Sequence, residues 1–279
     1  MLQARSEDRA TLERICRQLR ADIVRSTTAA GSGHPSTSLS MVEVLATLYF
    51  GGVLRYDPAR PDDPERDRFI LSKGHGAPGL YAVLAEAGYF ERAELINLRK
   101  LGSPLEGHPN MCRLAGVEAS TGSLGQGLSI GIGHALAAKL DGRSYRVYVM
   151  VGDGESEQGQ VWEAIMHAGN HDLDNLTLIV DHNGYQQTGA VADIQPLDPL
   201  VAKLEAFRWA AREVDGHDLG ALAEAFAWAR GILGRPQAIV ARTVKGKGVK
   251  LLEEAPWKWH GKALPPEEEA RALQDIAAS

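Results

Sequence analysis

A chain of 279 residues, 44% of them hydrophobic and 24% charged, can bury a full core as one large α/β domain. Its formal charge of -6 and pI near 5.9, with no Lys/Arg cluster on a recognisable motif, exclude a nucleic-acid-binding footprint. No segment reaches the roughly 20 apolar residues of a membrane span, and residues 1–20 lack a signal peptide's apolar run, so a cytoplasmic protein is expected. Cys16 and Cys112 stand far apart and outside any CxxC pattern, which indicates neither a disulfide nor a zinc site. Both are expected to pack as small hydrophobes.

Leu12, Ile15, Cys16, Leu19 and Ile23 recur at helical spacing and predict an amphipathic helix that runs toward a breaker at Gly31-Ser32-Gly33-His34-Pro35. Ser40 and Glu43 have capping-box spacing ahead of a second helix at Val44 to Phe50. The Pro- and Asp-rich stretch from Arg55 to Arg68 reads as a surface connection. Short apolar runs then alternate with helical patterns: Phe69 to Leu71, Tyr81 to Ala87, Arg146 to Val151, Val161 to Ala168, Leu176 to Val180 and Ala238 to Ala241. Continuous apolar strands alternating with helices predict a three-layer α/β/α fold with a mostly parallel sheet. Asp218 is placed to cap a helix from Leu219 to Ala229, with Gly231 and Gly234 beyond its end. With no internal repeat or linker, residues 1–279 read as a single domain ending in a short charged tail from about Pro265.

The strand Arg146 to Val151 runs into Gly152-Asp153-Gly154, and the strand beginning at Leu176 ends in Asp181-His182-Asn183-Gly184-Tyr185. Open α/β sheets bind ligands at the carboxyl ends of their strands, where glycine turns and helix N-termini accept phosphate. Asp153, the Asn183 side chain and a backbone carbonyl such as that of Tyr185 offer the hard oxygens that Mg2+ takes beside substrate phosphates. A tight turn with an Asp cap is the plainer reading of the same residues.

Four of the nine histidines stand in glycine- or proline-containing loops: Gly33-His34-Pro35, Gly74-His75-Gly76, Gly107-His108-Pro109 and Trp259-His260-Gly261. Such flanks keep an imidazole off a regular core face, and imidazole suits proton transfer at sugar hydroxyls and carbonyls near neutral pH. Ser120-Thr121-Gly122-Ser123-Leu124-Gly125-Gln126-Gly127 opens a Gly/Ala-rich helix. Its glycines do not fit a dinucleotide fingerprint, and they allow close approach of either a flat cofactor ring or another helix.

Taken together, GHP at His34, SKGHG at His75, LGSxxxGHP ending at His108 and Pro109, TGSLGQG, GDG with its distant Asn, DGHD at Asp215 to Asp218, and KGKG followed by WHGK at Lys245 to Lys262 resemble the cofactor-binding domain of the transketolase family. The resemblance runs from about Ser26 to Lys262. It implies a thiamine-diphosphate-binding fold, bound thiamine diphosphate with Mg2+ or Ca2+ held by Asp153, Asn183 and Tyr185, and reversible transfer of a two-carbon ketol unit from a ketose, sugar or sugar phosphate, to an aldose. It also implies that His75 and His260 contact the diphosphate with Lys245 close by, and that Gly154 and Glu155 line that site. Backbone groups of Gly122 and Leu124 would meet the aminopyrimidine. His34 and His260 would polarise substrate oxygens and move protons, and His108 would bind the donor's terminal hydroxyl.

In this family a glutamate opposite the pyrimidine nitrogen lies on a second, pyrimidine-binding domain, and none follows WHGK here. The expectation is a split enzyme in which a separate C-terminal subunit completes the site, in an α2β2 heterotetramer. Gln158 stands where the family places an interfacial glutamate, with Glu157 displaced by one residue. Other readings are an α subunit of a 2-oxoacid dehydrogenase, which the GHP loops, TGSLGQG and WHGK speak against, a transketolase-like enzyme of a specialised biosynthetic pathway, and a non-catalytic scaffold retaining the fold.

Overall fold

The computed structural model describes residues 2–278. In chain order the elements are β1 (Ala4–Ser6), α1 (Arg9–Ala30), α2 (Pro35–Ser40), α3 (Val42–Phe50), β2 (Gly51–Arg55), β3 (Arg68–Leu71), α4 (Ala77–Ala87), α5 (Gln126–Leu140), β4 (Val147–Gly152), α6 (Gly159–Asn170), β5 (Leu176–His182), α7 (Val191–Ile194), α8 (Leu200–Ala206), β6 (Ala210–Asp215), α9 (Leu219–Gly231), β7 (Gln237–Arg242), α10 (Lys250–Glu254) and α11 (Pro266–Ala278). Five strands form a wholly parallel sheet in the order β3-β4-β5-β7-β6, and β1 with β2 makes a small antiparallel pair.

The period of two in a strand explains the layers. Val147, Val149 and Val151 of β4 pack with Leu128, Ile132, Val161 and Ile165 from α5 and α6 on one face. Tyr148 and Met150 point the other way, into a core built with α1, α3, α4 and α9. Apolar residues on both faces are what a parallel sheet covered by helices requires.

Several expectations hold at the level of individual residues. Helix α1 ends at the expected breaker, with Gly31 in the left-handed region; Asp8, which the sequence reading did not single out, caps its start. Asp218 caps α9 by accepting from Gly220 and Ala221, although Gly231 is that helix's last residue and not a residue beyond it.

Others are corrected. Ser40 and Glu43 form no capping box: Met41 occupies the cap position without a side-chain bond. The Ser40 hydroxyl bonds Thr37 and Asp181, while Glu43 pairs with Arg20 and His217. Tertiary partners have drawn both side chains away from the helix end. Cys16 is buried as expected, but Cys112 is exposed, on a loop. The charged segment after Pro265 is no tail, because it forms α11, which lays Ala272 and Ile276 into the core beside α1. Strand β6 escapes a hydrophobic scan because it is an edge strand whose Arg212, Glu213 and Asp215 face partly to solvent.

Candidate active site

The parallel strands end level with one another: Gly152 of β4 pairs in register with Asp181 of β5, and His182 of β5 with Arg242 of β7. Their carboxyl ends, the loop after β3, the start of α5 and the loops around His34 and Trp259 enclose one cavity of about 500 Å3. All twelve residues singled out in the sequence line it: His34, His75, His108, Gly122, Leu124, Asp153, Gly154, Glu155, Asn183, Tyr185, Lys245 and His260. Thr37, Gln186 and Gln187 join them. The only signal for the two glutamines is that they continue the Asn183-Gly184-Tyr185 turn. Gly154 owes its identity to that turn, since a Cβ on it would lie 2.8 Å from the Gln186 Cβ.

At the floor, Asp153 is 2% exposed and accepts from the backbone N–H groups of Gly154 (2.9 Å) and Gly184 (2.6 Å). The Asn183 amide nitrogen donates to Asp181, so its Oδ1 is the atom left to accept, from the Tyr185 N–H at 3.2 Å. Lys245 Nζ lies 3.4 Å from the Tyr185 carbonyl. Burial first, then the neighbouring Asp181, raises the Asp153 carboxyl to about 6. Burial lowers Lys245 to about 8 despite the pull of Asp153 and Asp181.

Three imidazoles ring the cavity above. The His34 ring is 5.1 Å from that of His75 and 5.5 Å from that of His260, and the last two are 5.6 Å apart. Pro35 opens α2 at a position where its missing N–H is harmless, which leaves His34 as the cap residue facing the cavity. Lys245 donates to His260 Nδ1 at 2.9 Å, so the proton of a neutral His260 sits on Nε2. His34 Nδ1 is buried with no partner among the described residues. Burial lowers His34 to about 4 and His260 to about 3, and it holds His75 well below the ordinary histidine value; nearby cations reinforce all three. His108 stands at the exposed rim against Gly122, whose φ of +146 and missing Cβ leave room for the ring at 2.9 Å.

Two buried carboxylates were not legible as structural devices. Glu155, 3% exposed, accepts from Ser72 Oγ (2.5 Å), Gly125 N (2.9 Å) and Gly152 N (3.1 Å). It thereby ties together the loop after β3, the start of α5 and the end of β4. Asp181 pairs with Lys73, and Ser40, Thr243 and Asn183 also bond it. Burial alone would raise this carboxyl, but Lys73 and the hydroxyls hold it below its usual value. Gln158, where the resemblance implies an interfacial glutamate, is exposed, while Glu157 buries an Oε1 that has no hydrogen-bond partner among the described residues.

A parallel sheet whose strand-end loops converge on one polar cavity defines a cofactor-binding α/β domain. The chain belongs to the transketolase family: residues 9–277 match the family described as "Transketolase, thiamine diphosphate binding domain". It is 46% identical over 260 residues to the transketolase of Rattus norvegicus, a match that covers 93% of this chain and 41% of that protein. It is 44% identical over 241 residues to the 6-deoxy-6-sulfo-D-fructose transketolase subunit SqwG of Clostridium sp. (strain MSTE9), covering 85% of this chain and 87% of that subunit. The crystal structure of transketolase from Campylobacter jejuni superposes with a TM-score of 0.90 at 31% identity, covering 97% of this chain and 43% of that one. The chain thus spans about two fifths of the full-length transketolases it matches. Among the described residues no helix is long and apolar enough to cross a membrane.

Proposed function

We propose that this chain is the diphosphate-binding component of a thiamine-diphosphate-dependent ketol transferase, acting as a single unit over residues 1–279 with a second chain that carries the pyrimidine-binding domain. The observation that carries the reading is the convergence of Asp153, Asn183, Tyr185, Lys245 and three imidazoles on one cavity at the carboxyl edge of the sheet. The donor set suits a hard divalent cation: one carboxylate, one amide oxygen and one carbonyl at the floor of the cavity. Thiamine diphosphate, when bound, supplies the nucleophilic carbon and the electron sink.

The chain's own residues bind, orient and move protons. Asp153, Asn183 and the Tyr185 carbonyl would hold Mg2+ or Ca2+. His75, Lys245, Gly154 and the backbone about Gly122 and Leu124 would hold the cofactor, with Glu155 bracing the loops that form its seat. His260, whose tautomer Lys245 fixes, presents Nε2–H as a donor to a diphosphate or a substrate oxygen. His34 stays neutral well below pH 7 and so can accept a hydrogen bond from a sugar hydroxyl. His108 at the rim would meet the far hydroxyl of the donor.

The assembly proposed is α2β2, and two observations support a partner subunit. The relative named as a subunit has nearly the extent of this chain. The outer face of α5 and α6 also leaves Leu136, Leu140 and Met166 exposed at 38%, 89% and 49%. The test is co-purification of the chain from its source lysate with Mg2+ and thiamine diphosphate, followed by mass spectrometry and assay of ketose-dependent transfer to an aldose. A stoichiometric second chain with a pyrimidine-binding domain, and transfer by the pair, is the expected result. A pair that binds no cofactor would leave the scaffold reading, and full activity of this chain alone would overturn the two-chain reading.

A further inference from the structure

Arg99 follows the 3-10 turn Arg92–Asn97 with φ +58, the left-handed region that a residue with a Cβ occupies only when its surroundings hold it there. Its surroundings do. The backbone N–H donates to the Leu105 carbonyl at 2.8 Å. Nη1 donates to Ser32 Oγ at 2.9 Å, and Nη2 reaches the Gly107 carbonyl at 3.4 Å. Gly107 is open for this purpose, since a Cβ on it would lie 2.9 Å from the Arg99 Cζ. Ser32 leads directly into Gly33-His34-Pro35, and Gly107 into His108-Pro109. The second loop has a further strut in the Tyr81 hydroxyl, which donates to the carbonyls of Glu106 and His108, and the Ser38 hydroxyl donates to the His34 carbonyl in the first.

We propose that Arg99 is a positioning residue that clamps the His34 loop to the His108 loop and so sets the spacing of the two imidazoles across the mouth of the cavity. The proposal rests on the reading of that cavity as the sugar site. A planar fork suits the task because it can bond two loops at once, which an ammonium on the same stem cannot match in geometry. The strained backbone is explained as well, because the left-handed turn throws the side chain back across both loops. Electrostatics agree with the geometry. After burial, the Arg99 guanidinium is the largest influence lowering His34, ahead of His108, Lys245 and Lys73, with the His75 and His260 rings also facing it. For His108 it is the one charge that acts beside burial, the nearby Glu106 being engaged with Arg113 and Asn110.

The experiment uses histidine-labelled full chain and two variants. Arg99→Gly accepts the backbone angle without strain and deletes the guanidinium, whereas Arg99→Lys keeps the charge and loses the fork. By NMR titration, Arg99→Gly should move the His108 and His34 midpoints upward; Arg99→Lys should leave the midpoints near wild type, while both variants displace the His34 and His108 backbone amide signals. In the reconstituted complex both variants should raise the donor KM by about tenfold with a smaller change in kcat. Unmoved His34 and His108 titrations in a folded Arg99→Gly chain, or an unchanged donor KM in an active complex, overturn the clamp. A wild-type complex with no transfer activity would instead refute the sugar-site reading, and the His34 and His108 backbone amide signals, displaced in both variants if the fork holds the loops and unmoved if it does not, would still decide the clamp.

Discussion

Replacing Lys73 by methionine tests how the floor of the site is held. Lys73 is 1% exposed and Asp181 0%, so their ion pair has no solvent to fall back on. The ammonium also donates to the Thr37 carbonyl at 3.1 Å, joining α2 to the end of β5. In Lys73→Met the apolar stem is kept, while Asp181 is left as a buried charge with only Ser40, Thr243 and Asn183 around it. Breaking one side of a buried pair costs about 3–5 kcal/mol, most of it the desolvation of the charge left behind. Adding Asp181→Asn removes that charge and keeps an oxygen for the hydroxyls, so the double variant should recover more than about half of the loss. Urea unfolding of the cofactor-free chains, followed by circular dichroism, measures both. A Lys73→Met loss below about 1 kcal/mol, as for a surface pair, would show that Lys73 and Asp181 are not held as a buried pair, and so would a double variant whose loss is the sum of the single losses.

Three further outcomes are expected. Gly127→Ala should cost about 1–3 kcal/mol, because its Cβ would sit 2.4 Å from that of Ser72 and disturb the Ser72–Glu155 tie, whereas Gly133→Ala, with nothing within 4 Å, should stabilise the chain by about 0.5–1 kcal/mol; equal melting shifts for the two would contradict the packing argument. A thiol reagent should label Cys112 quickly and Cys16 only on unfolding, since burial and then Glu43 push the Cys16 thiol well up; two fast thiols would be the contrary result. His34 and His260 titrate lower in the folded chain than when unfolded, so the stability they contribute is present above about pH 6.5 and is lost as pH falls toward about 4 and 3. Cofactor-free chain should therefore melt progressively lower between pH 7 and 5, and a His34→Gln/His260→Asn variant should flatten that slope.

The site was legible because its residues are the ones that regular structure rejects. Glycines, an Asp after a buried strand and histidines between helix breakers mark the carboxyl edge of the sheet before any strand order is known, and one cavity gathers them all. The supports behind them were not. Glu155, Lys73 and Asp181 act through partners dozens of residues away, and nothing in their spacing distinguishes a buried tie from a surface charge. Arg99 was hidden for the same reason, with contacts reaching back to Ser32. Among the elements, β6 was lost to its polar edge. Helix α11 was lost to its acidic first turn, Glu267 to Glu269, which reads as a solvated tail although acidic residues at a helix start favour the dipole. Ser40 and Glu43 show the reverse failure, a local capping pattern overridden by partners across the fold.

The proposed function requires a divalent cation on Asp153 and Asn183 to hold a diphosphate cofactor in this cavity. Calorimetric titration of thiamine diphosphate into the reconstituted two-chain complex tests it most directly. One cofactor should bind per copy of this chain in Mg2+, with binding lost in chelator and in Asp153→Ala or Asn183→Ala. Binding that survives both chelator and the Asp153→Ala change would contradict it.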